Sequence, residues 1–163
     1  MLLAAWPAVR RHCPDARLAL VGDGDLTPTL QSVPTPGVTF AGAVDDVRAW
    51  LAAADVVVLP SRWEGLSLTV LEAFASGRGV VVSDVPGLGE VVTPGVGARV
   101  APGDPAALAD ALTHRLLNPS LARAEGEAAA RHAARFDMRV TFERLAVETT
   151  AVVGKVDRRV PTW

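Results

Sequence analysis

Residues 54–92 read ADVVVLPSRWEGLSLTVLEAFASGRGVVVSDVPGLGEVV. The run Val56-Val57-Val58-Leu59 is apolar, β-branched and too short for a helix, and Pro60 bounds it. It reads as a buried parallel strand. A loop follows, Ser61-Arg62-Trp63-Glu64-Gly65, and then a helical segment over Leu68–Ala75 that Gly77 closes. A second apolar strand, Val80-Val81-Val82, comes next. The order is strand, helix, strand. Its strand-to-helix loop falls where open α/β sheets hold their ligands.

Two carboxylates punctuate this unit, Glu64 in the loop and Glu72 on the helix. At about 100° per residue, Leu68, Leu71, Phe74 and Ala75 are expected to share the buried face, with Glu72 on its border. A carboxylate at such a border is costly without a partner, which points to a ligand hydroxyl or a cation. The free N–H groups near Gly65, Leu66, Ser67 and Leu68, at the start of the helix, suit a phosphate. An anion cradle between two hydroxyl acceptors matches a nucleotide-sugar, with its diphosphate in the middle and a sugar ring at each side.

The pattern E-G-L-S-L-x-x-x-E-A-F-A-S-G at 64–77, followed by V-V-V-S-D-x-x-G-L-x-E-V-V at 80–92, resembles the retaining glycosyltransferases of family 4. Further blocks follow in family order: A-R-L-x-L-V-G-D-G (16–24), V-T-F-x-G-x-V (38–44), A-D-V-V-V-L-P-S (54–61) and V-A-P-G-D-P-A-A-L-A-D-A-L (100–112). The resemblance runs over about residues 2–147 and is to the C-terminal, donor-binding domain of a two-domain GT-B enzyme. It implies that Glu72 holds the ribose hydroxyls and that Glu64, with Gly65, holds the hydroxyls of the transferred sugar. The N–H groups of Leu66, Ser67 and Leu68 are implied to hold the diphosphate, and the backbone at Val44 the nucleobase edge. Glu64 is the candidate catalytic residue. In the family the turn carrying Gly22 and Gly24 lies near the donor pocket. From the residues alone it is either a plain strand-to-helix turn or a ligand-lining loop, since it lacks the dinucleotide-binding glycine spacing. The leaving phosphate itself is thought to deprotonate the acceptor in such enzymes, so no protein nucleophile is required. Asp23-Gly24-Asp25 reads as a tight turn rather than as a metal-binding Asp-x-Asp, and the expectation is a site with no cofactor and no metal, served by a UDP- or GDP-sugar substrate.

The rest of the chain fits an α/β domain, a Rossmann-like three-layer arrangement around a parallel sheet. Its 163 residues suit one domain, half of them are hydrophobic, and the net charge of −2 makes no case for nucleic acid. Cys13 is the one cysteine, so no internal disulfide forms. Residues 2–12 read as a helix end before Pro14. Arg17–Val21 and Val38–Gly42 read as strands, and Asp46–Ala54 as a short helix with Val47, Trp50 and Leu51 turned inward. Glu90 is expected to start a helix, where its charge suits the dipole or serves the donor. Gly97–Ala101 reads as the last strand, and Asp104 as the cap of a helix that opens with Pro105. About 120–147 reads as helical with Phe136 and Phe142 as anchors, His114 and His132 as surface groups, and 148–163 as a poorly ordered polar tail.

Where this sequence has Pro86-Gly87, the family has two adjacent glycines. The family domain also begins with a further apolar strand ending Gly-Arg and a loop carrying a Lys, two cations for the diphosphate, and this sequence starts after both. Arg62 and Arg78 lie near the site in sequence without any sign that they substitute. In the doubly wound order the absent strand is central. Its loss leaves the strands at 18–21 and 56–59 facing a gap. They then pair directly into five strands, or a strand comes from another chain, or the chain is a fragment. The fragment is the expectation, with the N-terminal acceptor-binding domain supplied in cis or trans and membrane contact only through that absent domain. The chain alone is then expected to be a poor catalyst or none. With no run of about eighteen apolar residues and no basic start before Pro7, it reads as cytoplasmic. A non-catalytic nucleotide-sugar-binding subunit and a GT-B-type epimerase are the rival readings. A flavodoxin-like receiver is disfavoured, because the first strand is followed by no acidic cluster suited to a metal.

Overall fold

A computed structural model describes residues 1–136, 142 and 145–152. Five strands, β1 (Leu18–Val21), β2 (Val38–Gly42), β3 (Val57–Leu59), β4 (Val80–Ser83) and β5 (Gly97–Val100), alternate with helices. The helices are α1 (Leu2–His12), α2 (Thr27–Gln31), α3 (Arg48–Ala53), α4 (Leu68–Ala75), α5 (Leu88–Val91), α6 (Pro105–Leu117) and α7 (Pro119–Ala133). Every strand pair is parallel, and the strands split into two groups, β1–β2 and β3–β4–β5. β1 and β3 do not pair, so the five-stranded sheet contemplated from the sequence is not what forms. The inner edges of β1 and β3 are left without strand partners.

Period-two alternation explains the layering. Val57, Leu59, Val80 and Val82 point to a cluster roofed by Phe74 and Leu88, into which α3, α4, α5 and α7 pack. Val56, Val58 and Val81 point the other way, into a second cluster with Trp6, Val9 and Leu108 from α1 and α6. β4 is buried on both faces, as its unbroken apolar run requires. β1 joins only the second cluster, through Leu18 and half-buried Leu20, while Ala19 and Val21 on its other face stay exposed. The β1–β2 pair is therefore covered on one side only. A buried bidentate ion pair links α6 to α7, with the Arg115 guanidinium donating to both Glu125 oxygens at 2.8 and 2.6 Å.

Several expectations need correction. The buried face of α4 is Val70, Ala73 and Phe74, whereas Leu68, Glu72 and Ala75 are exposed. Trp50 is exposed at the surface of α3 while Leu51 alone is buried there. His132 is half-buried between the rings of Phe74 and Phe136, at centroid distances of 5.9 and 5.6 Å, rather than at the surface. Phe136 packs on the core, whereas Phe142 is exposed. Residues 145–152 are helical, and the rest of the expected polar tail, 153–163, lies outside the described residues. Asp104 caps α6 as expected, accepting from the Ala106 and Ala107 N–H groups.

Candidate functional site

The loop from β3 to α4 is a short, exposed crossing whose middle is fixed from two sides. The Ser61 hydroxyl donates to Glu64 Oε1 at 2.8 Å and holds the half-buried carboxylate from within the loop. On the other side stands the β4–α5 loop, residues 84–87, with Gly87 lying directly against the Glu64 and Gly65 carbonyls. That second loop is itself anchored. Val85 and Leu88 are buried at its two ends, and the Asp84 N–H donates to the Val100 carbonyl at 2.7 Å. Arg99 reaches across from β5 to donate to Asp84 Oδ1 and to the Gly89 carbonyl, each at 3.3 Å.

Ser67 begins α4 in an extended conformation, and its buried side chain makes no capping hydrogen bond. The N–H groups of the helix's first turn are thereby left without the side-chain acceptor that usually closes them. Leu68 is the first helical residue, and Glu72 stands one turn further along on the same exposed face. Trp63, Leu66 and Leu68 are exposed apolar groups on the rim of this loop, Trp63 at 81%.

Gly22, Gly24 and Val44 belong to the other half of the divided sheet. The Gly22 N–H donates to the Gly42 carbonyl at 2.8 Å, which ties the exits of β1 and β2 together. Gly22 and Gly24 both have open space where a side chain would stand, and half-buried Val44 lies between β2 and α3. The candidate residues therefore form two groups, one on each side of the unpaired edges. In the first turn after β1, Thr27 and the Gly24 N–H hold the Asp23 carboxyl below its usual range, with Thr27 the larger cause.

Arg78 does not lie at this site. It follows α4 at the opposite end of the unit and donates to the Ala52 carbonyl at 2.6 Å, closing the end of α3. Arg62 is exposed in the loop itself. Glu90 sits in the first turn of α5, which begins at Leu88 rather than at Glu90. A concavity of about 290 Å³, lined by Thr93, Val96, Arg131, His132 and Arg135 among others, opens beside the start of β5, away from the strand exits. Among the described residues no three His, Cys, Asp or Glu side chains gather in a metal-ligating group. None of the helices described is long and apolar enough to cross a membrane.

Sequence reasoning did not find the part played by the β4–α5 loop. The only signal was one glycine, and its positive φ is invisible in the sequence.

The architecture is that of an α/β domain with parallel strands. Comparison with known proteins makes the class specific. The family profile for "Glycosyl transferases group 1" matches residues 1–118, and the chain belongs to that family. A lipopolysaccharide core biosynthesis mannosyltransferase of Rhizobium leguminosarum is 42% identical over 96 residues, 58% of this chain and 27% of that protein. A GDP-mannose-dependent mannosyltransferase of Corynebacterium glutamicum, acting on a monoacylated phosphatidylinositol monomannoside, is 34% identical over 157 residues, 88% of this chain and 41% of that one. Among solved structures, Anabaena HepE in complex with UDP superposes with a TM-score of 0.81 at 26% identity, covering 93% of this chain and 44% of that chain. The fold is thus the α/β fold of GT-B glycosyltransferase structures. This chain spans less than half the length of these relatives.

Proposed function

We propose that this chain is the donor-binding half of a retaining family 4 glycosyltransferase, which transfers a hexosyl group from a nucleotide-diphosphate sugar to an acceptor. The observation that carries the reading is the uncapped first turn of α4 with Glu64 fixed just before it and Glu72 exposed along it. In this reading the N–H groups of Leu66, Ser67 and Leu68 hold the diphosphate, where the helix dipole favours negative charge. Glu72 accepts from the ribose hydroxyls. Glu64, with Gly65, accepts from the hydroxyls of the transferred sugar and orients the anomeric carbon. The site needs no resident cofactor or metal. Gly22, Gly24 and Val44 line the far side of the same donor, across the unpaired edges of β1 and β3. Support comes from the GDP-mannose dependence in the name of one relative and from the UDP bound in one neighbour. Those two differ in base, so UDP and GDP are both carried forward.

Transfer needs a second substrate held in register with the first, and this arrangement contributes only the donor side. The acceptor-binding half is proposed to come from residues outside this chain, in cis or in trans. On that basis the chain by itself binds donor without turning it over. Soluble sugar-transfer activity by the purified chain would contradict this.

Thermal melts with UDP, GDP, ADP and their sugar conjugates test the reading. A ligand at about one hundred times Kd stabilises by ~2.7 kcal/mol, or roughly 5–10 °C for a domain of this size. One nucleotide series raising the melt names the base. Release of free UDP without an acceptor would favour the epimerase instead, and a melt that no nucleotide moves would sink the donor reading.

A further inference from the structure

The β4–α5 loop does more than connect two elements. Gly87 holds a backbone φ of 84°, a conformation that L side chains rarely adopt, and its α-carbon rests on the backbone of the Glu64–Gly65 loop. A β-carbon there would overlap the Gly65 carbonyl oxygen. It would also stand 2.7 Å from the Glu64 carbonyl oxygen and 2.8 Å from the Gly65 carbonyl carbon. All three atoms are backbone, so no rotamer change relieves the overlap. The β4–α5 loop is anchored by buried Val85 and Leu88 and strapped by Arg99, and the Glu64–Gly65 loop leads through buried Ser67 into the first turn of α4.

We propose that Gly87 is a positioning residue for the Glu64–Gly65 loop, letting the β4–α5 loop act as the abutment that sets where the Glu64 carboxylate and the open N–H groups of α4 stand. The consequence for donor binding rests on the donor reading above. Gly87 makes no contact with substrate in this scheme and works only through the two carbonyls it abuts.

The required control is built into the fold. Gly103, in the loop before α6, has a φ of 82°, nearly the same as Gly87, but open space where its β-carbon would lie. Gly103→Ala therefore adds the backbone strain without the contact. Gly87→Ala adds both, and must part the loops by about 1 Å, enough to break hydrogen bonds of about 3 Å to a bound anion.

The experiment compares wild type, Gly87→Ala and Gly103→Ala by amide NMR, by melting and by titration with UDP and GDP. Both variants should melt lower than wild type. Only Gly87→Ala should shift the Glu64–Leu68 amides and weaken nucleotide binding, by about 10- to 100-fold as hydrogen bonds to a charged group are lost, while Gly103→Ala stays within about twofold. Unmoved Glu64–Leu68 amides with unchanged affinity in Gly87→Ala would overturn the inference and leave Gly87 a merely structural glycine. Should Gly87→Ala fail to fold, the wild-type chain still decides. A nuclear Overhauser contact between the Gly87 α-protons and the Gly65–Leu66 backbone supports the abutment, and its absence overturns it. If the wild-type chain shows the contact and Gly87→Ala shows the amide shifts, but the wild type binds no nucleotide, the donor reading is overturned and the positioning role stands.

Discussion

Replacing Val82 with alanine probes whether the divided sheet is also divided in energy. Val82 is fully buried in the cluster formed with Phe74 and Leu88, to which neither β1 nor β2 contributes a residue. Removing its two methyl groups costs about 2 kcal/mol in lost transfer energy and residual cavity. The β1–β2 pair is held far more lightly. It buries Leu18 in full and Leu20 and Val38 in part, with hydrogen bonds from Trp6 Nε1 to the Pro36 carbonyl and from Arg10 to the Ala16 carbonyl. Those contacts are worth on the order of 5 kcal/mol, and much of that is offset when the released backbone regains its freedom. Local opening of β1–β2 at about 2–4 kcal/mol follows, below the 5–15 kcal/mol typical of global unfolding. Native-state hydrogen exchange reads both. In wild type the amides of β1 and β2 should exchange at least ~5-fold faster than those of β4, the factor that a gap of about 1 kcal/mol gives. In Val82→Ala, the β4 amides should speed up by about 30-fold and the β1–β2 amides by less than about twofold, because the Val82 contacts persist in the locally opened state. If both groups accelerate by the same factor, the two half-sheets open as one unit and the reasoning is refuted.

Other outcomes follow from single contacts. Glu125→Ala strands the buried Arg115 guanidinium and should cost about 3–5 kcal/mol in a urea melt, whereas Arg115→Met with Glu125→Leu should recover most of that loss. A loss under about 1 kcal/mol for Glu125→Ala would show that the pair is solvated. Ser61→Ala frees the Glu64 carboxylate and should weaken nucleotide-sugar binding about tenfold while leaving binding of the bare nucleotide unchanged; equal weakening of both would count against a sugar-side role for Glu64. The Asp46 carboxyl is held down to about 2, chiefly by the hydrogen-bonded Arg48 guanidinium, so the charged form is favoured in the folded chain. Its contribution is present above the ordinary carboxylate pKa and fades as pH falls towards 2. In Arg48→Gln the Asp46 carboxyl should titrate closer to its ordinary range by NMR, and an unmoved titration would contradict that cause.

Much of the fold could be read because its strands are short apolar runs between glycines and prolines. Val80–Val82 could only be a strand buried on both faces, and Asp104-Pro105 could only open a helix. The phase of α4 was lost for a physical reason. In LTVLEAFA six of eight residues are apolar, so periodicity barely distinguishes one face from another. The packing of α7 decides it. The Gly126 α-carbon lies so close to the Gly77 carbonyl that a β-carbon could not fit, and this approach turns Val70, Ala73 and Phe74 into the core. The same long-range contact carries His132 between two aromatic rings, a neighbour no local pattern reveals. At the candidate site, Glu64 and Glu72 stood out as carboxylates beside an apolar strand. The Ser61 hydroxyl and the Gly87 abutment did not, because one depends on a loop conformation and the other on two segments that meet only in space. The sheet's division was foreseen as a gap, and the structure excludes its closure by direct β1–β3 pairing.

The donor-binding claim meets its most direct test in a calorimetric titration of the intact chain with UDP and GDP, alongside Glu72→Ala. Because Glu72 is exposed on α4, its removal should leave the melt nearly unchanged. The account predicts saturable binding of one nucleotide, weakened roughly 10- to 100-fold in Glu72→Ala as the hydrogen bonds to a charged acceptor are lost. Binding that Glu72→Ala leaves untouched, or no binding in a chain that melts cooperatively, would contradict it.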